Sequence, residues 1–91
     1  MSCLVRNING TSTRKPIGFR SWREFWENKK KEPFTFCAKE GCYNAAEVGA
    51  HVQKVGAGAS REWYIVPLCK ECNNQKNVSF KVDGNYLVKL V

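Results

Sequence analysis

The chain has 91 residues, with 15 Lys and Arg against 8 Asp and Glu, so its formal net charge is +7. That length sets a single domain whose core is small enough for a metal or disulfide cross-link to supply a real share of its stability. No apolar run approaches the roughly 20 residues of a membrane-spanning helix, and the cationic excess points to a polyanionic partner such as nucleic acid and away from a membrane.

The cations are unevenly spread, since residues 1 to 36 hold eight of them against three acids and residues 37 to 91 hold seven against five. The N-terminal part is therefore the expected phosphate-contacting face, with Arg14, Lys15, Arg20, Arg23, Lys29, Lys30 and Lys31 as its contacts to nucleic acid, DNA rather than RNA. A merely solubilising surface is the alternative that charge alone leaves open.

Residues 3 to 9 alternate loosely in polarity and read as an edge strand, followed by turn signals at Asn9-Gly10-Thr11-Ser12 and Lys15-Pro16. Ser21-Trp22-Arg23-Glu24 is a capping-box pattern, so a helix of about ten residues is expected from there. Trp22, Phe25 and Trp26 fall at i, i+3 and i+4 and form its apolar face, read as core; Arg23, Glu27, Lys30 and Lys31 lie on the wet side. Lys29 to Lys31 suit a helix C-terminus, and Pro33 forbids much continuation.

Phe34 and Phe36 lead in extended form to Cys37-Ala-Lys-Glu-Gly-Cys42, which together with Cys69-Lys-Glu-Cys72 makes two close pairs of thiols. Zinc prefers four thiolate or imidazole ligands in a tetrahedron, and each pair must sit on a tight turn; Gly41 eases the first one. A disulfide framework would need an oxidising compartment, yet Met-Ser-Cys-Leu-Val-Arg opens no apolar signal segment and carries no cleavage site, so a cytoplasmic setting is expected. Cys37, Cys42, Cys69 and Cys72 are thus the expected structural zinc ligands, and Cys3 a spectator.

Between the two pairs, Ala45 to Val52 and Arg61 to Leu68 read as strands of an antiparallel hairpin around Gly56-Ala57-Gly58-Ala59-Ser60. Trp63-Tyr64-Ile65-Val66 is rich in strand formers, and Pro67 precedes a short helix entered at Cys69. Val78 to Val91 reads as a last hairpin, with Asp83-Gly84-Asn85 as its loop and Val78, Phe80 and Val82 opposite Leu90, Val88 and Tyr86.

The order of knuckle, hairpin and Cys-x2-Cys at a helix start is that of a treble clef. With Gly49-Ala50-His51-Val52 on the first hairpin strand and Tyr64-Ile65-Val66-Pro67-Leu68-Cys69-Lys70-Glu71-Cys72-Asn73 on the second, the chain resembles the HNH nuclease superfamily over residues 37 to about 77. The resemblance implies a structural zinc on the cysteines and, in a cleaving member, a catalytic Mg or Mn that grips the scissile phosphate. It also implies that His51 is the general base and that Asn73 stands where a second-metal ligand is often found. Two positions depart from the pattern: Ala50 replaces an acidic or histidine ligand, and Tyr64 stands in place of the central asparagine. A carboxylate such as Glu47 or Glu62 would then have to help hold the second metal. His51 has two other readings, as a replacement zinc ligand or as a neutral core histidine.

The expected fold is therefore a small α+β treble-clef zinc domain of HNH-like ββα type, a single domain over 1–91. Its core spans about 37–77, with an N-terminal basic helical extension at 1–36 and a C-terminal β-hairpin at 78–91. The expected function is nucleic-acid binding with weak or absent cleavage. The alternatives are a metal-dependent HNH endonuclease using His51 and a zinc-stabilised protein-interaction module.

Overall fold

The structure, a computed structural model, describes residues 2–8, 18–56, 62–75 and 78–89. Its elements are β1 (Ser2–Asn7), α1 (Trp22–Lys30), β2 (Val48–Lys54), β3 (Trp63–Leu68), α2 (Lys70–Asn73), β4 (Ser79–Asp83), a 3-10 turn (Gly84–Tyr86) and β5 (Val88–Lys89). The chain is an α+β mixture built on one five-stranded antiparallel sheet in the order β4-β1-β2-β3-β5. No helix among the described residues is long and apolar enough to cross a membrane.

Helix α1 begins where its sequence says it should. Ser21 is in extended conformation and its hydroxyl accepts from the Glu24 amide at 3.1 Å, which satisfies one of the donors a helix start leaves orphaned. The helix ends at Lys31, a left-handed residue (φ 60°) whose amide donates to the Glu27 carbonyl at 2.9 Å. Trp26 is fully buried and packs edge-on against Phe34, with ring centroids 5.2 Å apart.

The sheet separates two apolar layers. Along β2, Ala50 and Val52 face a core that also holds Val5, Val66, Leu68, Phe80, Val82 and the buried cysteines, whereas Ile65 and Ala46 join Trp26 and Phe34 beneath α1. Gly49 lies on the α1 side because the helix touches the strand there. A Cβ at that position would stand 2.7 Å from the Trp22 carbonyl carbon and 2.8 Å from its Cβ, closer than real contacts allow.

Two expectations are corrected. The strand expected over residues 3 to 9 is not an edge strand in its described part: β1 pairs with β2 on one side and β4 on the other, so it is interior to the sheet. Nor do the described residues of the expected 78–91 hairpin, 78–89, pair with one another. β4 pairs with β1, setting Phe80 against Val5 and Val82 against Cys3, while β5 pairs with β3, setting Val88 against Ile65. Asp83-Gly84-Asn85 begins a 3-10 turn in which the Asp83 carboxylate accepts from the Asn85 amide at 2.9 Å. The turn passes beneath α1, where the Trp26 indole donates to the Tyr86 carbonyl at 2.7 Å. Each strand finds a partner edge that buries it better than its sequence neighbour would. Leu90 and Val91, part of the expected hairpin, lie outside the described residues.

Because β4 and β5 lie at opposite ends of the strand order, the sheet cannot be flat. Four inter-strand spacings amount to about 19 Å, more than the roughly 18 Å that the five steps from Asp83 to Val88 reach even when fully extended. The sheet curls, and residues 38 to 40 bridge the gap: Ala38 donates to the Pro67 carbonyl of β3 at 2.8 Å, Glu40 donates to the Lys81 carbonyl of β4 at 2.9 Å, and Lys39 forms a β-bridge with Val82. The cysteine knuckle therefore links β3 to β4 across the curled sheet.

Candidate metal centre

Two separate pieces of chain converge on one point. The knuckle at 37–42 is held by the Cys37 amide donating to the Asn44 carbonyl at 2.8 Å and by the Cys42 amide donating to the Lys39 carbonyl at 3.0 Å. The latter closes the tight turn that Gly41, with φ 84°, completes. Cys69 follows β3 directly and is the N-cap of α2, and Cys72 lies within that helix. The helix start is fixed from outside, since the Glu47 carboxylate accepts from the Lys70 amide at 3.2 Å.

The sulfurs of Cys37, Cys42, Cys69 and Cys72 all lie within 4.8 Å of one another, and the first, third and fourth of these residues are buried. Cys42 Sγ is 3.9 Å from Cys69 Sγ and 3.7 Å from Cys72 Sγ. A tetrahedral ion with metal–sulfur bonds of about 2.3 Å requires sulfur pairs about 3.8 Å apart, so these separations fit a four-thiolate site. The cluster could hold a metal ion, and the ion's contribution there would be a cross-link between the knuckle, β3 and α2.

Electrostatics fit the same reading. Burial opposes ionisation of Cys69, but the Cys72 amide, the Asn44 side-chain amide at 3.7 Å and the neighbouring thiols outweigh it and bring this thiol down to about 7. Burial pushes the Cys72 thiol far up, and the other three cysteines push it further; burial also raises Cys37, against the lowering effect of the Cys69 and Lys39 amides. One thiolate is accommodated readily and further negative charge is not, which is the situation a central dication resolves.

His51 stands elsewhere. It pairs with Ile65 across the β2–β3 ladder and so lies on the α1 side of the sheet, opposite Ala50, Val52 and the cysteines. It is 6% exposed, with its ring edge-on to Trp22 at 4.6 Å and to Trp63 at 6.0 Å. Asn73 belongs to α2 on the cysteine side, where its amide donates to the Cys69 carbonyl at 3.0 Å. The structure does not bring His51 and Asn73 to one face. Glu47 is engaged with Lys70, and Glu62 pairs with Lys89 at 2.7 Å. Among the described residues, the four cysteines are the one group of three or more His, Cys, Asp or Glu side chains that converge.

Of the expected phosphate contacts, Arg20, Arg23, Lys29 and Lys31 are exposed on or beside α1 and Lys30 is half-buried. Arg23 is tied down, pairing with Glu27 at 3.4 Å and lying over the Phe34 ring at 5.0 Å. Arg14 and Lys15 lie outside the described residues.

Two supporting residues escaped the sequence reading. Asn44 reaches the Cys69 sulfur, and Asn7, buried on β1, donates from Nδ2 to the carbonyls of Cys72 and Gln75 at 3.0 Å and of Asn73 at 3.3 Å. Asn44 stands two residues past Cys42, and this nearness in the chain is the signal that could have found it. Asn7 sends no comparable signal, because its partners are more than sixty residues away in the chain.

The chain matches no family model, and no curated protein or solved structure matches it significantly. Its function is therefore argued from the chemistry of its own residues.

Proposed function

We propose that the protein is a zinc-stapled nucleic-acid-binding domain of treble-clef, HNH-like type, in which Cys37, Cys42, Cys69 and Cys72 hold the zinc and the cationic face of α1 meets phosphates. The observation that carries the zinc is the sulfur geometry, with pairs at 3.7 and 3.9 Å in a partly desolvated cluster. The four-sulfur donor set favours zinc over hard cations such as magnesium or calcium, which take oxygen. The order of knuckle, β2–β3 hairpin and α2 supports the treble-clef assignment.

Nucleic acid is favoured by the net charge of +7 and by the exposed Arg20, Lys29 and Lys31 at the two ends of one helix. Cleavage is assigned a minor part or none. A general base needs a metal-held phosphate and water beside it, whereas His51 is buried between Trp22 and Trp63 on the face away from Asn73.

The test is salt-dependent binding. Each phosphate contact removed lowers the slope of log affinity against log salt by about 0.7 to 0.9. Arg20→Gln combined with Lys29→Gln should weaken binding to unrelated sequences alike and flatten that slope by about two contacts' worth. An absence of binding to duplex or single strands at low salt would reject the reading and leave the protein-interaction alternative.

A further inference from the structure

Apart from the cysteines, the most unusual feature of the knuckle is what it turns outwards. Tyr43 is 84% exposed and Phe36 is 65% exposed, whereas Phe34, only two residues earlier, is buried against Trp26. Aromatic rings left in water forgo the burial that would stabilise the fold, and here they do so on a segment whose backbone is fixed. Phe36 immediately precedes Cys37 and Tyr43 immediately follows Cys42, so the two rings flank the metal-binding turn at its base. Phe36 forms an antiparallel bridge with Ala45, and the Cys37 amide donates to the Asn44 carbonyl. Tyr43 lies two residues before Ala45 and, like Phe36, faces solvent, while the sulfurs of Cys37 and Cys42 turn towards the metal centre.

We infer that Phe36 and Tyr43 form a stacking site for consecutive unpaired bases of a single-stranded nucleic acid, an inference that rests on the proposed nucleic-acid function. Base stacking on aromatic side chains needs rings that are presented rigidly, accessible on their faces and close to cations that carry the phosphates. The knuckle supplies the rigidity. The cations are near in the chain, where Lys29 to Lys31 end the helix a few residues before Phe36. Thr35 and Asn44 beside the rings are exposed and polar. Ala45, bridged to Phe36, is exposed as well and adds a methyl group beside the rings.

The experiment compares Phe36→Ala, Tyr43→Ala and Tyr43→Trp with the parent protein, all zinc-loaded, for binding to a thymidine oligonucleotide, to a duplex of equal length and to phosphatidylserine–phosphatidylcholine vesicles. Zinc content and thermal transition check that each variant is folded. Each alanine substitution should weaken single-strand binding about 5- to 100-fold and leave the salt slope and duplex binding nearly unchanged. Tyr43→Trp should keep the affinity, with its added indole emission quenched on binding, a readout that does not depend on truncation. If the parent protein binds no nucleic acid, the functional reading falls and takes this inference with it. If it binds with the expected salt slope while both alanine variants bind the single strand as well as the parent, the stacking site alone is rejected. Vesicle binding lost in the alanine variants, without change in oligonucleotide binding, would reassign the rings to a membrane surface and overturn the inference.

Discussion

The side-chain amide of Asn7 donates to the main-chain carbonyl of Cys72 at 3.0 Å, joining the first strand of the sheet to the last cysteine of the metal centre. The same nitrogen also faces the carbonyls of Asn73 and Gln75. The Asn73 and Gln75 carbonyls at the end of this four-residue helix gain a donor from across the core in Asn7, and the Cys72 carbonyl, which also accepts from the Gln75 amide at 3.2 Å, gains a second one.

Asn7→Ala should therefore cost about 1 to 3 kcal/mol, the penalty for taking a shared donor away from buried and part-buried carbonyls. In a domain of this size each kcal/mol lowers the melting temperature by roughly 4 to 8 °C. The variant should also surrender its metal to a chelator faster than the parent does, because α2 carries Cys72. A thermal scan and a chelator competition check both; an unchanged rate of metal loss would uncouple Asn7 from the site.

Metal removal itself should unfold much of the domain, since metal-binding free energy in such a site is folding free energy. Cys69→Ser should abolish stoichiometric zinc, while Cys3→Ser, on β1 and outside the cluster, should leave zinc content unaltered. Protons compete with the metal for the thiolates, so the affinity should fall as pH falls. Elemental analysis and a metal-competition titration at several pH values measure this, and a pH-independent affinity would argue against thiolate ligation.

Gly49→Ala should be disruptive although it adds a single methyl group. The new carbon would meet Trp22 and the Arg23 amide nitrogen at 2.7 to 2.9 Å, contacts made largely with backbone that has little freedom to yield. Overpacking of this kind costs about 1 to 3 kcal/mol, and the tryptophan emission of α1 should shift with it.

His51→Ala separates a supporting histidine from a catalytic one. Removing a ring held between Trp22 and Trp63 should cost about 2 to 4 kcal/mol through the cavity it leaves. Zinc content should stay the same, because the cysteines lie on the other side of the sheet. With added magnesium or manganese the parent protein should nick DNA slowly at most. Rapid cleavage abolished by His51→Ala without loss of folding would make the protein a nuclease.

Lys31→Gly should raise stability by about 1 kcal/mol by relieving the left-handed conformation at the end of α1, which a residue with a side chain adopts at a cost. If Lys31 contacts phosphate, the same variant should weaken nucleic-acid binding, so stability and affinity would move in opposite directions. Parallel thermal and salt-titration measurements test this.

What was legible in the sequence was what depends on near neighbours. The cysteine spacing, the Ser21 cap and the alternation that pairs β2 with β3 are all written within a few residues of one another, and the structure carries them. The choice of partner for β4 and β5 is not local. Asp83-Gly84-Asn85 is as compatible with a 3-10 turn as with a hairpin loop, and the decision falls to Val5, Cys3 and Ile65, which offer deeper burial at edges distant in the chain. The position of His51 was half legible: alternation sets it opposite Ala50 and Val52, but which of the two faces receives α1 depends on the close approach that Gly49 permits.

The bridging of the curled sheet by residues 38 to 40 gives the metal centre a second role. With the knuckle seated, Pro67 and Lys81 have their carbonyls occupied by Ala38 and Glu40. A knuckle released by metal loss would leave parts of β3 and β4 with unpaired main-chain groups, the template on which identical chains recruit one another into aggregates. The ion would then act as a guard on solubility as well as a cross-link, and zinc-depleted protein, with much of its domain unfolded, should aggregate through the strands it exposes.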